Sequence, residues 1–204
     1  MFTFIVDGFI NLVGLSDDDI QALKIEFDYF RITEGIPDSL KVNPAPAPTP
    51  AVVKWSIVNK SPSLTLSNSE MTVTKSTSGN GYYGVLGEVR SNRFSVRVDR
   101  GGDIYLGLHS GDDINWNSSY DFRMRGGYYF YPSSGEKYRG GVWSPYCARA
   151  PIVAGDVFTV IKEGRSISFE KNGVSLGVVF TDAPEGDMFP YVELYHQNDQ
   201  ITLL

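Results

Sequence analysis

Cysteine and histidine are scarce. Cys147 is the single cysteine, and His109 and His196 are the two histidines, in a chain of 204 residues. A lone cysteine excludes an intrachain disulfide framework and any Cys-rich zinc module. Two histidines leave little for imidazole-based metal or triad chemistry. Positive charge is also short, with 18 Lys and Arg against 24 Asp and Glu, for a net charge of −6. A binder of phosphate backbones needs a concentrated basic surface, so no nucleic-acid partner is expected. No apolar stretch approaches the roughly 20 residues needed to span a bilayer. Met1 to Val13 is apolar but carries Asp7, and it has neither a basic n-region nor a small-residue cleavage site. The expectation is a virion or cytoplasmic setting rather than classical secretion. The sequons Asn59-Lys60-Ser61 and Asn117-Ser118-Ser119 then read as chance matches.

Glycine and aromatics, by contrast, are abundant. There are 21 glycines, and 13% of residues are aromatic within a hydrophobic total of 42%. Such a chain can bury a core, and its many Gly and Asn turns point to an all-β protein. Proline is clustered, with four of eleven falling in Asn43–Pro50. Alternating proline fixes φ and favours polyproline II, so 44–50 reads as a semi-rigid linker between 1–43 and 51–204. A crossing loop inside one domain is the alternative.

The first 43 residues read as a short strand and a helix. Phe2, Phe4 and Val6 alternate, and Asp7-Gly8 is a turn signal. Ser16 suits an N-cap with Asp17, Asp18 and Asp19 in the first turn. Ile20, Leu23, Phe27 and Phe30 follow on one apolar face before Gly35-Ile36-Pro37 ends the helix. So short a segment cannot bury that face alone. It is expected to anchor by docking, on its own domain or on something else.

Beyond residue 51 the signals are those of strands. Phe94, Val96 and Val98 alternate with polar residues, Gly101-Gly102 turns the chain, and Ile104 to Leu108 is read as the returning strand. Tyr128 to Tyr131 is an aromatic strand with two side chains expected in the core and two at the surface. Gly135 to Gly141 reads as a glycine-rich loop carrying Lys137, Tyr138 and Arg139, with Trp143 and Tyr146 just after it. Val157 to Ile161, then Ile167 and Phe169, then Val174 to Phe180 follow, with Asn172-Gly173 as a type I′ hairpin turn. Phe189 to Leu194 and Gln200 to Leu204 complete an antiparallel sandwich.

Several of these segments stand in an order that resembles the SPRY family. They are Gly155-Asp156-Val157, Ile167-Ser168-Phe169, Lys171-Asn172-Gly173, Leu176-Gly177-Val178-Val179-Phe180 and Phe189-Pro190-Tyr191-Val192. Upstream, Leu66 to Thr74 resembles an early strand of the family, and Phe94 to Val98 with Ile104 to Leu108 resembles one of its hairpins. The resemblance covers about 55–204. It implies a bent antiparallel β-sandwich of the SPRY or concanavalin-like type, which binds protein or peptide partners through loops at one rim and is not catalytic. Lectin-like domains share the shape, so a glycan is a further candidate ligand by fold analogy.

No constellation argues for catalysis. Gly79-Asn80-Gly81-Tyr82-Tyr83-Gly84 fits G-x-G-x-x-G, but Val85 to Val89 after it reads as a strand where a dinucleotide site needs a helix. Asp113, Asn115, Asn117, Ser119 and Asp121 alternate as in a calcium loop, yet Ser118 stands in place of glycine and Met124 in place of the bidentate acid. A polar loop with Asx turns is the expectation. The carboxylates fall mostly at turns, without a facing pair. No cofactor or metal site is expected, and Cys147 reads as a small buried hydrophobe. The candidate contact residues are Trp116, Tyr120, Tyr138, Trp143, Tyr195 and His196, aromatics on loops being good anchors. The reading is a non-catalytic binding or assembly protein with protein partners, and the expected setting is a virion or other large particle in which it can self-associate. An intracellular peptide-binding adaptor and a lectin-like protein are the alternatives.

Overall fold

The computed structural model describes residues 53–112, 114–119, 126–147 and 149–204. The chain divides between Pro50 and Ala51, and the second unit is the one described. The anchor residues Ile20, Leu23, Phe27 and Phe30, the linker, and Tyr120 lie outside the described residues.

Fourteen strands are formed among the described residues: β1 (Trp55–Lys60), β2 (Leu64–Ser67), β3 (Thr72–Lys75), β4 (Tyr83–Gly87), β5 (Arg93–Arg100), β6 (Ile104–His109), β7 (Gly127–Tyr131), β8 (Glu136–Arg139), β9 (Val142–Pro145), β10 (Val157–Glu163), β11 (Ser166–Lys171), β12 (Val174–Phe180), β13 (Phe189–Leu194) and β14 (Gln200–Leu203). They make two seven-stranded sheets, in the orders β1-β4-β13-β6-β7-β8-β9 and β12-β11-β10-β5-β14-β3-β2. The strand pairings in both are antiparallel.

The core lies between the sheets. Phe94, Val96 and Val98 of β5, Phe158 and Val160 of β10, and Ile167 and Phe169 of β11 meet Val85, Leu106, Leu108, Phe130, Val192 and Leu194 from the other sheet. Burying each such side chain contributes about 1.5–3 kcal/mol. β5 alternates buried and exposed as its sequence does. In β6 every residue is buried, because both of its faces are covered. Trp55 is wholly buried at the start of β1, and its indole N–H finds no partner among the described residues.

Three sequence readings change. Phe94 to Val98 and Ile104 to Leu108 are not a hairpin: the chain crosses from one sheet to the other between them. Gly101 makes the crossing at φ +106°, packed so closely on Asp199 that a Cβ would overlap its carboxylate. Leu66 to Thr74 is not one strand. Asn68, Ser69 and Glu70 all have positive φ and fold it into the β2–β3 hairpin. Gly135 to Gly141 is not a loop either. Its centre is β8, which pairs with β7 on one side and β9 on the other. The glycines at its two ends, with positive φ, supply the turns.

The segments that resemble the SPRY family hold the second sheet together. Asp156 accepts hydrogen bonds from Val153 N–H (2.9 Å) and Asn172 Nδ2 (2.8 Å), and it pairs with Lys171 at 2.9 Å. Asn172 Oδ1 accepts from Val157 N–H at 2.8 Å. Burial would raise the Asp156 carboxyl, but these bonds outweigh it and hold the group below its ordinary range. Asn172 and Gly173 have φ of 52° and 77°, as a type I′ turn requires. Gly177 (φ +90°) kinks the edge strand β12, and the Tyr146 hydroxyl donates to the Leu176 and Gly177 carbonyls there.

Candidate functional site

The first sheet has a second apolar surface on its outer side. Alternation places Tyr105 of β6, Tyr129 and Tyr131 of β7, Tyr138 of β8 and Tyr191 of β13 there, with Tyr82 and Tyr195 from the adjoining loops. Tyr128 and Phe130 point the other way, into the core. The aromatic strand thus alternates between the two faces, but Tyr129 is wholly buried on the outer side, and of the pair expected at the surface only Tyr131 keeps exposed area.

The inner part of this face is closed and polar. His109, Tyr129, Tyr191 and Glu193 have no exposed surface. The His109 Nδ1 accepts from Gly111 N–H at 2.8 Å, and the Tyr191 hydroxyl donates to Glu193 Oε1 at 3.2 Å. The tyrosine rings lie flat because glycines make room: a Cβ at Gly84 would overlap the Tyr191 hydroxyl, and one at Gly127 the Tyr129 hydroxyl. Ile114 and Trp116, from the loop after β6, pack half-buried on this cluster. In the same loop Asn117 N–H donates to Asn115 Oδ1 at 3.2 Å, an Asx turn. Among the described residues no group of acids, cysteines or histidines could hold a metal ion.

The outer part is less covered: Tyr82 and Tyr105 are buried there, while Tyr131, Tyr138 and Tyr195 are half-buried. Tyr105 stacks on Tyr131 at 4.4 Å and meets Tyr82 edge-on at 4.9 Å and Tyr138 at 6.3 Å. Tyr82 in turn packs on Tyr195 at 4.5 Å. Trp143 of β9 is the direct cross-strand partner of Tyr138, and 62% of its surface is exposed. Among the described residues, Tyr105, Glu136, Tyr138 and Trp143 line a cavity of about 320 Å³. Glu136 Oε2 accepts from Ser134 Oγ at 2.7 Å.

A polar chain borders the tyrosines. The Tyr82 hydroxyl donates to that of Tyr131 (3.3 Å), and Tyr131 donates to Asp103 Oδ1. Burial and the Asp103 hydrogen bond push the Tyr131 phenol up to about 12, so it stays protonated. The other Asp103 oxygen meets His196 Nε2 at 3.0 Å. The loop after β13 is drawn tight by Asp199 Oδ2, which accepts from the Tyr195 and His196 N–H groups at 3.2 and 2.7 Å. Burial raises the Asp199 carboxyl against those bonds. Beneath this loop the buried Lys75 ammonium donates to Gly79 O (2.5 Å) and Tyr195 O (2.6 Å). Burial lowers its pKa, and Asp199 offsets part of that effect.

Of the candidate residues read from sequence, Tyr138 and Trp143 meet in the cavity, and Tyr195 and His196 sit at the far border of the same tyrosine cluster. Trp116 packs half-buried against the same cluster. Tyr82, Tyr105, Tyr131, Asp103 and Glu136 were not among them. The signal for Tyr105 and Tyr131 is strand alternation once β6 and β7 are known to be neighbours; Asp103 and Glu136 carry none. Cys147 is half-buried, and burial raises its pKa, which keeps the thiol protonated.

These two sheets, with the β10–β12 hairpins at one edge, define the β-sandwich of SPRY domains. The chain is similar to the SPRY domain of human HERC1, with a TM-score of 0.57 and 19% identity over 73% of this chain and 96% of that one. A further human SPRY domain matches with a TM-score of 0.57 and 16% identity, over 69% of this chain and 94% of that one. The PSpry domain of TRIM65 matches with 0.56 and 12%, over 75% and 90%. No family model matches the sequence, and no curated protein matches it.

Proposed function

We propose that residues 51–204 form a protein-recognition module that binds without catalysis, and that the less covered aromatic part of the first sheet's outer face is its contact surface. One observation carries the reading. Tyr105, Tyr138 and Trp143 surround a cavity of about 320 Å³ on that face, and the largest of them is mostly exposed. Aromatic side chains with one wet side are efficient contact anchors, since they bring much area at little entropic cost. The likeness to SPRY domains supports the same class of activity. The particle setting, a virion or similar assembly, is proposed on the sequence layout of anchor, linker and displayed domain.

The test is selection of a displayed random-peptide library on the full-length protein, followed by affinity measurement for the enriched peptides. Trp143→Ala and Tyr138→Ala are expected to weaken binding about tenfold or more. Val174→Ala, on the exposed edge of the other sheet, should leave it unchanged. Enriched peptides indifferent to both aromatic substitutions, or no enrichment at all, would overturn the reading.

A further inference from the structure

We propose that the cleft beside β9 and the end of β12 binds a glutamate carboxylate of a protein partner, which takes the place of the chain's own Asp182. The strands β9 and β12 are the last of their respective sheets. Residues from both borders line a cleft of about 340 Å³. Its cations, Lys137 and Arg139, flank Tyr138 on β8 and therefore point to the opposite side of the sheet. The site owes nothing to the tyrosine face and goes beyond the function proposed above.

Strand positions that face the inside of a sandwich are ordinarily apolar, and here two of them are charged. Lys137 donates to Val179 O at 2.9 Å and lies over the Phe180 ring, and Arg139 lies over the Tyr128 ring. Tyr128, Val179 and Phe180 all belong to the core. Ser144 and Val142, the cross-strand partners of Lys137 and Arg139, line the cleft with them. Asp182 is the single acid among the described residues that line it. The cleft is thus net positive in a chain of net charge −6. An ammonium carries three donors and a guanidinium five, so Val179 O and Asp182 leave several for a further acceptor.

Asp182 shows what the cleft accepts, since its carboxylate pairs with Arg139. Its backbone is held separately. Asp182 O accepts from the Tyr128 hydroxyl at 3.2 Å, and the next residue, Ala183, donates its N–H to Arg165 O at 3.0 Å. The Asp182 side chain is half-exposed, so it can turn into water while the chain stays in place. An ion pair so exposed is weak. A carboxylate that reaches Arg139 and Lys137 together gains a second charge-assisted hydrogen bond. Val142, Val179 and Phe180 offer an apolar wall to the methylenes of a glutamate. Two cations and one acid leave a single positive charge to match, which suits a carboxylate better than a phosphate dianion.

The probe is a short valine-flanked glutamate peptide, blocked at both termini and titrated into the full-length protein. Beside it run the same peptide with glutamine, the same with phosphoserine, and inorganic phosphate. Glutamate is expected to bind about tenfold more tightly than glutamine, with the margin shrinking in high salt. Lys137→Met keeps the apolar stem over Phe180 and should abolish the margin. Asp182→Asn removes the resident competitor and should tighten glutamate binding several-fold, an effect that a purely structural Asp182 would not give. Trp143→Ala, on the other face, should leave the margin unchanged. Equal binding of glutamate and glutamine would overturn the proposal and leave Lys137 and Arg139 as inward charges that keep the sheet edge from pairing with other chains. Tighter binding of phosphoserine or of free phosphate would overturn the carboxylate assignment, and unaltered affinity in Asp182→Asn would remove the exchange. A margin lost with Trp143 would move the binding to the tyrosine face and sink the cleft as the site.

Discussion

Asp156 shows how one side chain can serve an entire sheet edge. Its oxygens take the Val153 N–H, the Asn172 amide and the Lys171 ammonium, so the start of β10 and the β11–β12 turn are held together. The pairing with Lys171 and the charge-assisted strength of the other two bonds exist only while the carboxyl is ionised. Its pKa is depressed by folding, so its contribution is fully present above the unfolded carboxyl value of about 3.9 and is lost as pH falls through the lower folded value. Asp156→Asn is expected to lower stability by about 2 kcal/mol at neutral pH, in denaturant unfolding. The gap from wild type should narrow as acid is added, and a gap that is constant down to strong acid would refute the linkage. Trp55 poses the opposite case. It is the largest side chain in the core, yet its N–H is unpaired among the described residues, an arrangement that costs about 1–3 kcal/mol against the apolar area it buries.

At the scale of elements, the border of the tyrosine face depends on Lys75. From the end of β3 it reaches the carbonyls of Gly79 and Tyr195, and its own backbone pairs with Asp199 O and Asn198 N. Lys75→Met keeps the apolar stem and removes both ammonium hydrogen bonds. The expected outcome is a loss of about 2 kcal/mol, with faster amide exchange confined to 77–81 and 195–199. Exchange that quickens equally in β10 and β11 would mean that Lys75 serves the whole sandwich instead. Much of this level is legible in the chain. The alternation of β5, the Asn172-Gly173 turn and the alternating faces of Tyr128 to Tyr131 each rest on local backbone geometry, though alternation does not tell that Tyr129 is covered on the outer side as well. The crossing at Gly101 does not, because a turn looks the same whether the next strand pairs beside its predecessor or across the core. β8 is hidden for a related reason: Glu-Lys-Tyr-Arg has no apolar alternation, and its pairing partners supply the order. The cavity is illegible for that cause too. Tyr105, Glu136 and Trp143 are far apart in sequence, and only the strand order β6-β7-β8-β9 assembles them.

At the scale of the described sandwich, the outer tyrosine face and the core sit on opposite sides of one sheet. Tyr128 and Phe130 build the interior while Tyr129 and Tyr131 build the outer cluster. A change to β7 therefore acts on both the interior and the outer cluster, whereas β9 is an edge strand with Val142 and Trp143 largely exposed. No helix among the described residues is long and apolar enough to cross a membrane. The other sheet ends in β12, where Val174 and Val178 are exposed. A bare edge with apolar side chains would be a template for amyloid-like stacking. The Tyr146 hydroxyl already occupies the Leu176 and Gly177 carbonyls, and the kink at Gly177 breaks the flat run an incoming strand would need. Tyr146→Phe frees those acceptors with little loss of packing, so it should leave binding intact while fibrils or concentration-dependent turbidity appear on prolonged incubation. On this reading Tyr146 is a guard against self-propagating assembly, and its service would be visible only in a crowded sample.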